Sequence, residues 1–170
     1  MKFLRIALEV IGALSLLVVS AAAVWIFRSA GADKVNRAKP QDVRFILNWG
    51  GIPTNQDICV IASYQSARSP AGDHLDYYCI QLSKFEVPGP EKAEWHDGPE
   101  QNPLLVKALE LGINSTGRYG DCFPSVEDAT SGALKIMFSS VVLHDREPTA
   151  ADIILYDPRS KRLYYVSYQT

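Results

Sequence analysis

The 170-residue sequence predicts an α+β fold, an N-terminal transmembrane helix followed by a small antiparallel-sheet domain with one or two helices. Three observations carry that expectation. An uncharged apolar run fills residues 10–27, and several later segments alternate apolar and polar residues with a period of two. The strands also follow one another without the regular strand–helix alternation of a parallel sheet.

The apolar run, VIGALSLLVVSAAAVWIF, holds eighteen residues without a charge. As a helix rising about 1.5 Å per residue it would be roughly 27 Å long, close to a ~30 Å hydrocarbon core. Trp25 and Phe27 stand near its end, where aromatic rings favour the headgroup layer. Residues 1–28 therefore read as a membrane anchor, with contact to the membrane through 10–27. The rival reading is a signal segment cut near Ala30-Gly31-Ala32, which would leave a secreted protein. Lys2 and Arg5 favour a cytoplasmic amino terminus and a domain exported to the periplasm or another extracytoplasmic space. Arg28, Lys34, Arg37 and Lys39 argue for the opposite, a domain facing the cytoplasm. Residues 29–41 are small, polar and charged and read as a tether; residues 42–170 form the globular domain.

Val43, Phe45, Leu47 and Trp49 alternate with less apolar neighbours and predict a first strand, closed by Gly50-Gly51. Ile58–Tyr64 and Leu75–Leu82 predict a hairpin with a long loop. Residues 83–101, with Pro88, Pro90, Gly98 and Pro99, carry few order signals and should be the least ordered part of the domain. A helix is expected over Pro103–Leu111, capped by Asn102 and ended by Gly112, with its leucines packed on the sheet. Ser125 with Glu127 and Asp128 marks a second, shorter helix that stops near Gly132. Ala133–Leu143 reads as a strand. Asp152–Tyr156 and Arg162–Tyr168 flank Asp157-Pro158 and predict a closing hairpin, with Tyr164 and Tyr165 on opposite faces.

Composition excludes several functions. Beyond residue 28 the chain carries fourteen basic and eighteen acidic residues, about −4. That balance leaves no footprint for nucleic acid and no polybasic patch for anionic lipid. No nucleotide loop, HExxH, GxSxG or EF-hand pattern is present, and no cofactor is expected. His74, His96 and His144 lie near Asp73, Asp76, Asp97 and Asp145 in sequence, but their spacing has no metal-site logic, so no metal is expected.

Cys59 and Cys79 lie on strands expected to pair, so a bridge between them is the first choice; Cys59–Cys122 and Cys79–Cys122 remain open. If Cys122 were a free thiol, His144 or His96 as base and Asp145 or Asp97 as orienter would supply the parts of a thiol-dependent enzyme. Trp95, Tyr119, Tyr164 and Tyr165 are the expected contact aromatics, because rigid rings bury area at small entropic cost. With no catalytic motif, the leading expectation is a non-enzymatic binding protein with a protein partner. An inhibitor, an immunity-type protein or an accessory subunit of an envelope complex would fit; the small-molecule ligand, if any, is undetermined. A third reading is a structural subunit of a membrane assembly, whose Gly12, Ala13 and Ala21–Ala23 let helices approach closely.

Overall fold

The computed structural model describes residues 11–12, 14–25, 31–69, 71–86, 88–89, 93–117 and 121–170, which fall into two compact units, Met1–Ala32 and Asp33–Thr170. In the first unit, residues 11–12 and 14–25 are helical. No helix among the described residues is long and apolar enough to cross a membrane. Residues 1–10, 13 and 26–28 of the expected anchor lie outside the described residues.

The second unit is built on a seven-stranded, wholly antiparallel sheet among the described residues. Its strands are β1 (Lys34–Val35), β2 (Ile58–Gln65), β3 (His74–Leu82), β4 (His96–Asp97), β5 (Lys135–His144), β6 (Glu147–Asp157) and β7 (Arg162–Gln169). Their order across the sheet is β1-β2-β3-β7-β6-β5-β4. A 3-10 turn (Pro40–Val43) and three helices complete it: α1 (Arg44–Trp49), α2 (Pro103–Ser115) and α3 (Val126–Thr130). The α+β class and the antiparallel sheet are as the sequence predicts.

Residues 44–49 form a helix, entered through the 3-10 turn that Val43 ends, not the expected strand. Their apolar positions satisfy both periods: Val43, Ile46 and Leu47 are fully buried on one helical face, while Phe45 and Trp49, four apart, are partly exposed. The start signal settles the matter, with Pro40 in the first turn and the Asp42 carboxylate accepting the Lys39 N–H at 2.8 Å. The residues read as a tether also join the domain, since Lys34 and Val35 pair with Gln65 and Tyr64.

Helix α2 begins as expected, with Asn102 Oδ1 accepting the Leu104 N–H at 3.0 Å. It runs past Gly112, because that glycine faces the sheet and does not end the helix. A Cβ there would lie 3.1 Å from Val166 Cγ1, so the missing side chain lets helix and strand approach. Leu109 is fully buried and Leu111 is not, at 39 % exposure. Ser125 caps α3 by accepting the Asp128 N–H.

The sheet carries a core on each side. On the α2 face, Tyr64, Tyr77, Cys79, Ile153, Leu155, Tyr164 and Val166 pack against Ala108, Leu109 and Ile113 of α2 and Ala129 of α3. On the α1 face, Tyr78, Ile80, Leu82, Ile154, Tyr156, Leu163 and Tyr165 pack against Val43, Ile46, Leu47 and Ile52. Period-two alternation along the same strands produces both cores. Within the segment expected to be least ordered, Phe85 stacks on Tyr156 at 3.7 Å and Trp95 meets Phe85 edge-on at 5.3 Å. The described part of that segment is thus a second cover for the α1 face.

Candidate functional site

The α1 face changes character along its strands. Leu82, Ile80 and Leu163 are apolar, Tyr78 and Tyr165 form the next step, and beyond them the inward positions are polar. Register aligns those polar positions into one row across six strands, Lys34, Gln65, Asp76, Ser167, Asp152 and Ser140. A row of hydrophilic side chains on a face that elsewhere is core marks the place where the helical cover stops.

The row is tied together by hydrogen bonds. Asp152 accepts from the Tyr165 hydroxyl and from Ser140 Oγ, both at 2.7 Å. Gln65 Nε2 donates to the Tyr78 hydroxyl at 2.6 Å. Arg68 reaches Asp76 Oδ2 at 2.5 Å, while Asp76 Oδ1 is buried with no hydrogen-bond partner among the described residues. A buried acceptor left bare costs about 1–3 kcal/mol, so this oxygen is the position where a water or a ligand donor gains most. Burial and the Asp76 charge push the Tyr78 phenol up to about 12. Burial, with the Asp152 hydrogen bond, pushes Tyr165 higher still, so both phenols are neutral at any ordinary pH.

Two exposed rings border the row. Phe45 and Trp49 of α1 are 36 % and 42 % exposed, lie 5.0 Å apart edge-on, and stand 5.6 and 6.1 Å from the Tyr165 ring. Aromatic faces beside a carboxylate suit a partner that brings a cationic or amphipathic side chain.

His74 gives the row one pairing with catalytic form. Its Nδ1 lies 3.0 Å from the Gly72 carbonyl, and its Nε2 lies 2.9 Å from Ser167 Oγ. That is the order of a base beside a nucleophile. Ser167 is only 6 % exposed, however, and its hydroxyl also meets the Tyr165 phenol. A nucleophile must reach substrate, and this hydroxyl serves as a joint between strands.

The residues expected from sequence are placed differently. Tyr164 and Tyr165 do point to opposite faces, but both are 4 % exposed and neither is a surface anchor. Trp95 is half-buried, with Nε1 donating to the Gly50 carbonyl at 2.8 Å. Tyr119 lies outside the described residues.

The bridge is Cys79–Cys122, with Cα atoms 6.3 Å apart, not Cys59–Cys79. Register is the reason: Cys59 sits opposite Gln81 and Ala62 opposite Cys79, with a bulge between them, and Cys59 is exposed and unbonded. Cys122 therefore offers no thiolate, which removes the nucleophile of the thiol-dependent alternative. His144 and Asp145 lie 3.4 Å apart at a hairpin tip, both four-fifths or more exposed. His96 contacts Glu100 at 2.7 Å and Asp97 contacts Lys135 at 2.6 Å. Among the described residues no three His, Cys, Asp or Glu side chains are placed to hold a metal.

Phe45, Trp49, Asp76, Asp152 and Ser167 were not singled out from sequence as contact residues. The available signal was a charge or hydroxyl at an inward-phase position inside a strand, as in LDYYCIQL and LYYVSY. No family model, curated protein or solved structure matches the chain.

Proposed function

We propose that this chain is a membrane-anchored binding protein whose sheet domain lies on the exported side and contacts a protein partner through the Phe45–Trp49 edge of the polar row. The observation that carries the reading is the N-terminal helix. Ile11, Leu14, Leu16, Leu17, Val18, Val19, Val24 and Trp25 are all between 55 % and 71 % exposed, so its apolar side chains face outward all round. A helix apolar on every side belongs in lipid or among other helices, because water penalises so much uncovered surface. The Cys79–Cys122 bridge supports export, since disulfides persist in oxidising compartments. The exposed ring pair packed on Tyr165 supports a contact role.

Placement is tested with Cys59, the exposed unbonded thiol. In intact cells a membrane-impermeant maleimide should label it, and the full chain should resist alkaline carbonate extraction; release by carbonate, or labelling only after lysis, would overturn the placement. Binding is tested by purifying the tagged full chain from its native cell in mild detergent. A stoichiometric partner should co-purify and be lost from the Phe45→Ala/Trp49→Ala variant, which should lose about 2–4 kcal/mol of stability because both rings are partly buried, and whose circular dichroism should show that it still folds. A partner retained in full by that variant would refute the contact surface. Exchanging the anchor for a cleavable signal separates this reading from a structural subunit, which would lose its function.

A further inference from the structure

We infer that the cleft between β1, the end of β2 and the 3-10 turn is a seat for the phosphate of an anionic membrane lipid, with Lys34 and Arg37 as its ligands. The inference rests on the anchor reading above. The cleft encloses about 410 Å³ and is lined by Lys34, Arg37, Ala38, Asp42 and Gln65. Arg68, Lys107, Lys135 and Arg159 each meet a carboxylate; among the described cations without an ion pair, Lys34 and Arg37 are the two that line this cleft.

The neighbouring acids explain why. Asp42 lines the cleft, but one of its oxygens accepts the Lys39 N–H at 2.8 Å. Asp33 accepts the Tyr64 hydroxyl at 2.7 Å and the Ala67 N–H at 2.9 Å, and those bonds hold its carboxyl below the ordinary range. Both carboxylates accept hydrogen bonds from neutral groups of the fold and form no ion pair with Lys34 or Arg37, which stand exposed in a concave site beside the Asp42 charge. Lysine and arginine together present the hydrogen-bond donors that a phosphate group accepts.

Charge along the chain points the same way. Residues 28–44 hold five basic and two acidic residues, while residues 45–170 hold ten basic and sixteen acidic. The mildly negative average of the domain conceals a basic stretch directly after the apolar run. Lys34 is seven residues beyond Phe27, a reach of at most about 25 Å when extended, which keeps it within range of the headgroup layer of an anchored chain.

The test uses the full chain in nanodiscs of phosphatidylcholine containing a minor fraction of phosphatidylglycerol, followed by native mass spectrometry of the lipid that stays bound. Phosphatidylglycerol should be enriched over its bulk fraction. Lys34→Gln/Arg37→Gln should lose at least tenfold of that enrichment, since each cation near an anionic surface contributes roughly fivefold. Lys34→Arg/Arg37→Lys, which keeps both charges, should retain it, as should Lys107→Gln on another part of the domain. If the chain inserts but shows no preference, or if the charge-removing variant keeps it, the lipid seat is wrong while the anchor stands. Failure to insert would refute the anchor and this inference together. Abolition of the preference by millimolar inorganic phosphate would assign the cleft to a soluble anion and overturn the lipid source.

Discussion

The two faces of the sheet are made by the same strands and finished in different ways. The α2 face is closed by a thirteen-residue helix, the small helix α3 and the Cys79–Cys122 bridge, with Gly112 letting α2 lie close on Val166. The α1 face is covered by a six-residue helix and the Phe85–Trp95 segment, and past Tyr78 and Tyr165 it turns polar. A single substitution of phase, odd for even, decides which fate a side chain meets. One face does the work of stability, and the other retains the unsatisfied oxygen of Asp76 and the exposed rings that a partner can use.

The largest effect should strike both faces at once. Burial holds Tyr78 and Tyr168 up to about 12 and raises Tyr165 further. Each phenol ionises near 10 in the unfolded chain and later in the folded one, so its stabilisation is complete below pH ~10 and is lost as pH rises through the folded value. Circular dichroism and phenolate absorbance of the full chain in detergent should therefore change together, between pH ~10 and ~12. If the tyrosines of one face ionised while the fold survived, the two cores would not be one cooperative unit.

Leu109→Ala, in the closed α2 face, should cost about 2–5 kcal/mol in urea unfolding, because a fully buried leucine leaves a cavity. Trp95→Ala removes a half-buried ring and its bond to Gly50 on the other face, and should cost about 2 kcal/mol. Equal losses would erase the distinction between the faces.

Asp157 sharpens the comparison from the turn that both faces share. Its partial burial opposes ionisation, but the Arg159 N–H, the Ser160 hydroxyl and the Arg159 side chain outweigh it and lower the carboxyl below its usual range. Its contribution is present above pH ~4 and lost as pH falls through the lowered folded value. Asp157→Asn should cost about 1 kcal/mol at neutral pH, a difference that shrinks below pH ~4 in parallel urea titrations.

The elements with local signals were legible in the sequence. The Asn102 and Ser125 caps, the β2–β3 pairing and the Asp157-Pro158 turn each follow from residue types within a few positions. Where two periods fit the same residues, as at 43–49, the alternation misled, and only the Pro40–Asp42 start distinguishes helix from strand. The β5–β6 hairpin was hidden because its two-residue turn, Asp145-Arg146, holds positive φ at both positions without a glycine. The polar row could not be read at all from one segment. It exists only because Gln65, Asp76, Ser167, Asp152 and Ser140 come into register across strands far apart in the chain. For the same reason the cysteine partner was open: a disulfide follows from Cβ positions, and sequence supplied three thiols and no register.

The Cys79–Cys122 bridge spans 43 positions, and the stretch it encloses includes residues 83–101 and the whole of α2. A protease that cuts once anywhere inside this ring leaves both fragments on one covalent molecule. Such a nicked chain would migrate nearly as the intact one until reductant is added, and then fall into two pieces. In a compartment rich in proteases but poor in thiols, the domain can thus survive a backbone cut without losing its amino-terminal half.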